Sequence, residues 1–280
     1  ANNTAVGSEA LNANSTAQGG VAIGKGALQA NTTGSYNTAI GNVAMLANTT
    51  GTENVSMGTE SLNANTTGSY NVAIGLNAMR LNTTASNNTA VGNQALEMNT
   101  TGYGCTAVGQ RASESNTTGV RNTSVGFEAG SIITSASDNI TIGYGAQPSS
   151  SSVSDECTLG NSAITNLRCN DTSISSLSDS RDKTNVVDIP LGLTFLNTVR
   201  PVSFDWNRRD GSMAGKKDFG FIAQELKTVA DATDYADHMR LVHNDNPDKL
   251  EADPMKMFPI LVKAIQELST KNDALEARIT

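Results

Sequence analysis

Side chains able to do chemistry are sparse in this 280-residue chain, and most of them are poorly placed for it. Cys105, Cys157 and Cys169 are an odd number at unrelated spacings, which predicts neither a disulfide framework nor a metal site. His238 and His243 stand in the last quarter with no cysteine pair nearby, so they read as structural or surface histidines, and no metal or cofactor is expected. Residues 1–165 hold nine acidic side chains at no common position, whereas a glycan-cleaving groove needs two carboxylates flanking one bond. The triplet Asn-Thr-Thr matches the acceptor pattern for N-glycosylation, but its fixed place in a repeat predicts a turn role instead. One further pair is a hydroxyl and an amine five residues apart, Ser178 and Lys183. Taken alone they read as loop residues around a Ser-Asp turn.

The elements that carry these residues begin with a repeat. Glycines fall at 7, 24, 41, 58, 75, 92, 109, 126, 143 and 160, a spacing of 17 throughout. An apolar residue precedes each one (Val6, Ile23, Ile40, Met57, Ile74 and onward), and a small one follows three places later, as at Ala27, Ala44 and Ser61. A turn Asn-Thr-Thr-Gly then recurs, intact at Asn31–Gly34, Asn48–Gly51 and Asn65–Gly68. Each unit reads as a short strand, a corner, a second short segment and another corner, with Gly and Asn supplying the corner conformations. One coil buries almost nothing alone, so coils must stack. Ten coils at a strand spacing of about 4.8 Å make a rod of roughly 43 Å. The thin apolar supply per coil predicts that several chains share one core, and a homotrimer is expected. The pattern Asn-Thr-Ala-Val-Gly-x-x-Ala-Leu resembles the head repeats of trimeric autotransporter adhesins, which implies a left-handed β-roll, although the repeat of that family is usually shorter.

Composition bounds the rest. Aromatic residues make up only 4%, which argues against one large globular core. The formal net charge of -8 disfavours nucleic acid or an anionic membrane as a partner, and no apolar run of about 18 residues exists to insert into a bilayer. The sequence opens inside a repeat, so it reads as part of something longer. Residues 1–165 carry 4 Lys/Arg and 9 Asp/Glu, and residues 166–280 carry 15 and 18, which marks a second domain. The expected organisation is therefore an all-β solenoid shaft at 1–165, a connecting segment at 166–178 and an α+β domain at 179–280.

Within that domain the pattern predicts a helix near Pro190–Val199, strands at Val202–Trp206 and Phe219–Ile222, a turn through Arg208–Gly211, and a helix from Ala223 to Ala230. A last helix after Pro254 or Pro259 carries Ile265, Asn272 and Ile279 seven apart, and likewise Leu261, Leu268 and Leu275. That is an a/d seam over about three heptads. Ile at a, Leu at d and Asn at one a position favour two strands; heptads this short decide the oligomer weakly, so the trimer stands.

Four stretches of the domain occur in an order that carries a resemblance. Leu177-Ser178-Asp179-Ser180-Arg181-Asp182-Lys183, Pro201–Trp206, Gly220–Glu225 and Leu261–Leu268 resemble, in that order, the landmarks of the intramolecular chaperone of endosialidase family. Members sit at the C-termini of phage tail spikes and fibres, where they trimerise, assist folding of the preceding β-structure and then release themselves. The resemblance implies that Ser178 is the reactive serine, Lys183 its base and Ser178–Asp179 the bond that is cut. A free lysine titrates at about 10.4, so it serves as a base only when desolvation or nearby positive charge lowers that value. Arg181 is a candidate for that charge. Attack by Ser178 on its own carbonyl would close a strained four-membered ring, so Ser178 of a neighbouring chain or an activated water is the attacking group. The implied location is the virion, with the chaperone domain released in the host cytoplasm after assembly and a host-surface receptor contacted by the shaft or by regions upstream of it. The alternative reading is a trimeric bacterial surface adhesin. A C-terminal membrane-anchor barrel would favour it, and residues 179–280 do not resemble one.

Overall fold

The computed structural model describes residues 2–164, 167–168, 178–209, 213–244, 246, 248 and 250–279. Most of the connecting segment lies outside the described residues, as do Cys169, Leu177, and Asp210 and Gly211 of the expected turn. The chain divides into two compact units, Ala1–Thr165 and Asn166–Thr280.

The first unit is a parallel β-solenoid. Ten three-residue strands, β1 (Thr4–Val6), β2 (Val21–Ile23), β3 (Thr38–Ile40), β4 (Val55–Met57), β5 (Val72–Ile74), β6 (Thr89–Val91), β7 (Thr106–Val108), β8 (Thr123–Val125), β9 (Ile140–Ile142) and β10 (Cys157–Leu159), pair in chain order. Each residue faces the one 17 positions on, so Ala22 lies opposite Ala39 and Ala73 opposite Ala90. Side chains alternate across a strand. Its middle residue therefore points inward, and Ala22, Ala39, Ser56, Ala73, Ala90 and Ala107 are fully buried or nearly so. The apolar residue before each glycine points outward, leaving Ile23, Met57, Ile74, Val108 and Val125 exposed in one row.

The second segment of each coil is not a strand but a run of turns. Its bulky residue turns into the core: Leu28, Met45, Leu62, Met79 and Leu96 are 0% exposed, each at a positive φ near 50°. That conformation is costly for such side chains. The shaft offsets it by burying them against the small residues of the strands and corners. Behind them runs a ladder of buried amides. Asn48 Nδ2 donates to Asn31 Oδ1 at 2.7 Å and to Gly51 O at 3.0 Å, and Asn65, Asn82, Asn99 and Asn116 repeat the motif. These are the asparagines of the Asn-Thr-Thr triplets. Their nitrogens are sealed inside the shaft, which rules out the acceptor reading of those triplets and leaves the turn role. The next threonine spends its hydroxyl on the following coil, as when Thr49 Oγ1 donates to Thr66 O.

The second unit is α+β. It contains α1 (Leu193–Leu196), β11 (Val202–Asp205), β12 (Lys217–Gly220), α2 (Ala223–Asp231), α3 (Ala236–Met239), β13 (Val242–His243), β14 (Glu251–Ala252) and α4 (Phe258–Ile279). β11 pairs with β12 and β13 with β14, both antiparallel. The small core gathers Phe195, Leu226, Ala230, Met239, Leu241, Met257 and Ile260. The expected helix at Pro190–Val199 shrinks to the four residues of α1, because Glu267 of α4 reaches across to accept the Leu193 N–H at 2.9 Å and starts the helix there. The second strand runs from Lys217 to Gly220 rather than from Phe219 to Ile222, since Val202 opposite Gly220 fixes the register. α4 turns Ile260 and Ala264 into the core, whereas Leu261, Ile265, Leu268, Leu275 and Ile279 of the seam stay exposed. Asn272, also of the seam, donates to Glu276 within the same helix. Among the described residues no helix is long and apolar enough to cross a membrane, and no cluster of His, Cys, Asp and Glu is built to hold a metal.

Candidate active site

The residues at the head of the second unit form a tight local turn. Asp179, with an extended backbone at φ -67° and ψ 137°, caps a single 3-10 turn over Ser180–Asp182, and its carboxylate accepts the Arg181 N–H at 2.9 Å. This is the usual service of Asp at a helix start, where the first N–H groups lack partners. The chain then extends again at Lys183. This out-and-back path returns the lysine to the start of the turn. Lys183 Nζ lies 2.6 Å from Ser178 Oγ and 3.2 Å from the Ser178 carbonyl oxygen. One amine thus touches both the hydroxyl and the carbonyl of the Ser178–Asp179 bond.

Arg181 belongs to the same turn but faces another partner. Its Nε lies 3.0 and 3.1 Å from the two carboxylate oxygens of Asp179, and its Nη2 lies 2.6 Å from one of them. That bond, with the backbone N–H beside it, holds the Asp179 carboxyl below the usual aspartate range. The candidate tuner of Lys183 is therefore paired with a carboxylate in the single chain. Ser178, Arg181 and Lys183 are exposed and Asp179 is half-buried.

Ser178, Asp179, Arg181 and Lys183 come together within six residues. The seam residues of α4 form a separate exposed stripe, and the histidines stand apart: His238 packs its ring against Tyr235 at the end of α3, and His243 lies in β13. Cys105 is buried in the shaft, where it interrupts a second asparagine column; its N–H takes the Asn88 Oδ1 bond that an asparagine N–H takes in other coils. Burial pushes the Cys105 thiol up, away from thiolate reactivity. The role of Glu267 at the start of α1 was not legible in the sequence, because 74 residues separate it from the N–H it accepts.

A hydroxyl–amine pair at the head of the second unit thus follows, along the chain, a stacked β-shaft. A family model, the chaperone of endosialidase, matches residues 178–238 and so begins at Ser178 itself. The resemblance read from the motifs is borne out over that segment, and with the solenoid the chain is tail-spike-like with a C-terminal chaperone segment. No curated protein and no solved structure matches the chain.

Proposed function

We propose that this chain is the C-terminal part of a phage tail fibre or spike whose second unit trimerises, guides the shaft into register and then cuts itself off between Ser178 and Asp179. The observation that carries the reading is the 2.6 Å approach of Lys183 Nζ to Ser178 Oγ at the first residue of the family match. In the overall reaction one water is consumed. The C–N bond between Ser178 and Asp179 breaks, the nitrogen leaves as the amine of Asp179 with a proton, and Ser178 is left with a carboxylate. Lys183 takes the proton of the attacking hydroxyl or water and returns one to the leaving nitrogen. An ammonium has no lone pair for that task. In the single chain Lys183 is exposed, so the reading assigns its activation to desolvation by neighbouring chains, which ties the cut to assembly.

Two exposed features support the trimer. The outward row from Ile23 to Val125 puts apolar side chains on the face of a narrow solenoid, and α4 leaves Leu261, Ile265, Leu268, Leu275 and Ile279 exposed. The expected home of the shaft is the virion, where its surface is available to a host receptor. Denaturing gels and intact mass spectrometry of the purified chain beside Ser178→Ala and Lys183→Ala test the reading. Only the unmodified chain is expected to yield a fragment beginning at Asp179. Three intact chains, or a cut that survives either substitution, overturn it.

A further inference from the structure

We propose that the Asp179–Arg181 pair is a positioning clamp, fixing the turn that carries Lys183 back onto Ser178, and that Arg181 acts through this geometry rather than through its charge. The inference rests on the self-cleavage reading for its role, but the clamp itself is a claim about structure. Lys183 reaches Ser178 only because the backbone between them closes one 3-10 turn and then extends. A single turn of this kind has little to hold it, since one or two backbone hydrogen bonds do not repay the fixed dihedrals. Here the Ser178 carbonyl and the Asp179 N–H flank the bond to be cut, and the Asp179 side chain closes the turn that follows it. It accepts the Arg181 backbone N–H and the forked Nε and Nη2 donors of the same residue. An exposed ion pair contributes little to stability. Its consequence here is geometric: the planar fork of arginine on a carboxylate sets direction as well as distance, which a lysine does not reproduce.

The two roles for Arg181 predict opposite outcomes. If its charge lowers the pKa of Lys183, Arg181→Lys keeps the cleavage rate. Asp179→Asn, which leaves that charge uncompensated, then speeds cleavage or moves the acid limb of its pH profile, where the base loses its proton, to lower pH. If the pair is a clamp, both substitutions slow cleavage, by roughly 10- to 100-fold for a displacement on the order of 1 Å, with the midpoint of the pH profile unmoved in Arg181→Lys.

The experiment measures cleavage of the full chain against pH for the unmodified protein, Arg181→Lys and Asp179→Asn. Alongside it, the rate at which acetic anhydride labels Lys183 in the uncleaved chain is read by peptide mass spectrometry and normalised to Lys256, which lies far along the chain. The clamp predicts slow cleavage in both variants and faster labelling of Lys183, freed from Ser178. Wild-type cleavage in Arg181→Lys, or unchanged Lys183 labelling in both variants, overturns it. If the unmodified chain never cleaves, the self-cleavage reading falls while labelling still decides the clamp.

Discussion

At Gly58, where φ is +142°, an added Cβ would lie 2.4 Å from the Gly75 carbonyl oxygen of the next coil. Gly41 and Gly75 meet their own neighbours as closely, so the 17-residue glycine column is set by how tightly backbone approaches backbone, beyond what corner geometry asks. Gly58→Ala is expected to cost about 3 kcal/mol or more, from left-handed strain added to a clash between coils, and a thermal unfolding midpoint measures it. The asparagine ladder predicts a smaller loss. Asn82→Ala leaves the buried Asn65 Oδ1 without its donor and is expected to cost about 1–3 kcal/mol by the same measurement. Cysteine labelling probes the same packing. In the native chain iodoacetamide is expected to modify exposed Cys157 but not Cys105, which reacts only after unfolding. Acid acts on the ion pairs between coils. Arg121 holds the Asp138 carboxyl below its ordinary range, so its folded pKa is lower than its unfolded one. The contribution of this pair is present above the unfolded value and is lost as the pH falls through the lower folded one. A pH titration of unfolding should therefore show the shaft losing stability on the acid side, and equal stability across that range would remove the pair from the account.

The strands and corners of the shaft follow the period of the sequence because every coil faces an almost identical neighbour, so the local pattern and the tertiary contact carry one message. The left-handed Leu28, Met45 and Leu62 were not legible. Leucine and methionine avoid that conformation on their own, and only the shared core of stacked coils makes it worth adopting. In the second unit, the strands at Val202 and Phe219 and the helix at Ala223 were expected from the sequence, and strand pairing moved the bounds of the second strand. α3 and the pair β13–β14 are too short to show a period, and α1 owes its start to the distant Glu267. Of the candidate site, the residue types were readable from a motif; the turn that joins Ser178 to Lys183, and the pairing of Arg181 with Asp179, were not, because both depend on side chains meeting across a backbone reversal. α4 has two faces: Ile260 and Ala264 are buried in the core of the unit, while Ile265 and Leu268 are exposed. Ile265→Lys is expected to leave the unit folded and to weaken the oligomer, whereas Ile260→Ala costs about 2–5 kcal/mol of folding stability as a buried truncation. Native mass spectrometry beside circular dichroism separates the two effects.

For the molecule as a whole, the difficulty lies in register. A chain sliding past its neighbours by one coil presents the same outward row, Ile40 in place of Ile23 and Met57 in place of Ile40. A slipped assembly is therefore close in energy to the correct one and has unpaired coil edges at its ends, which invite aggregation. On the proposed reading, a separate unit that binds its own copies first, through a seam unlike the repeats, removes the ambiguity before the coils zip. The proposed cut would then delete the easiest route to dissociation and leave the shaft held by its unfolding barrier. In the proposed function assembly gates the cut, and refolding at graded concentrations checks that link. Denatured chain is diluted over a hundredfold range of concentration, and the fragment beginning at Asp179 is followed by intact mass spectrometry beside the native mass. The account predicts that cleavage tracks the appearance of a species three times the 29.1 kDa chain mass and falls away steeply on dilution. Cleavage at one rate whatever the concentration, in chains that remain monomers, would contradict it.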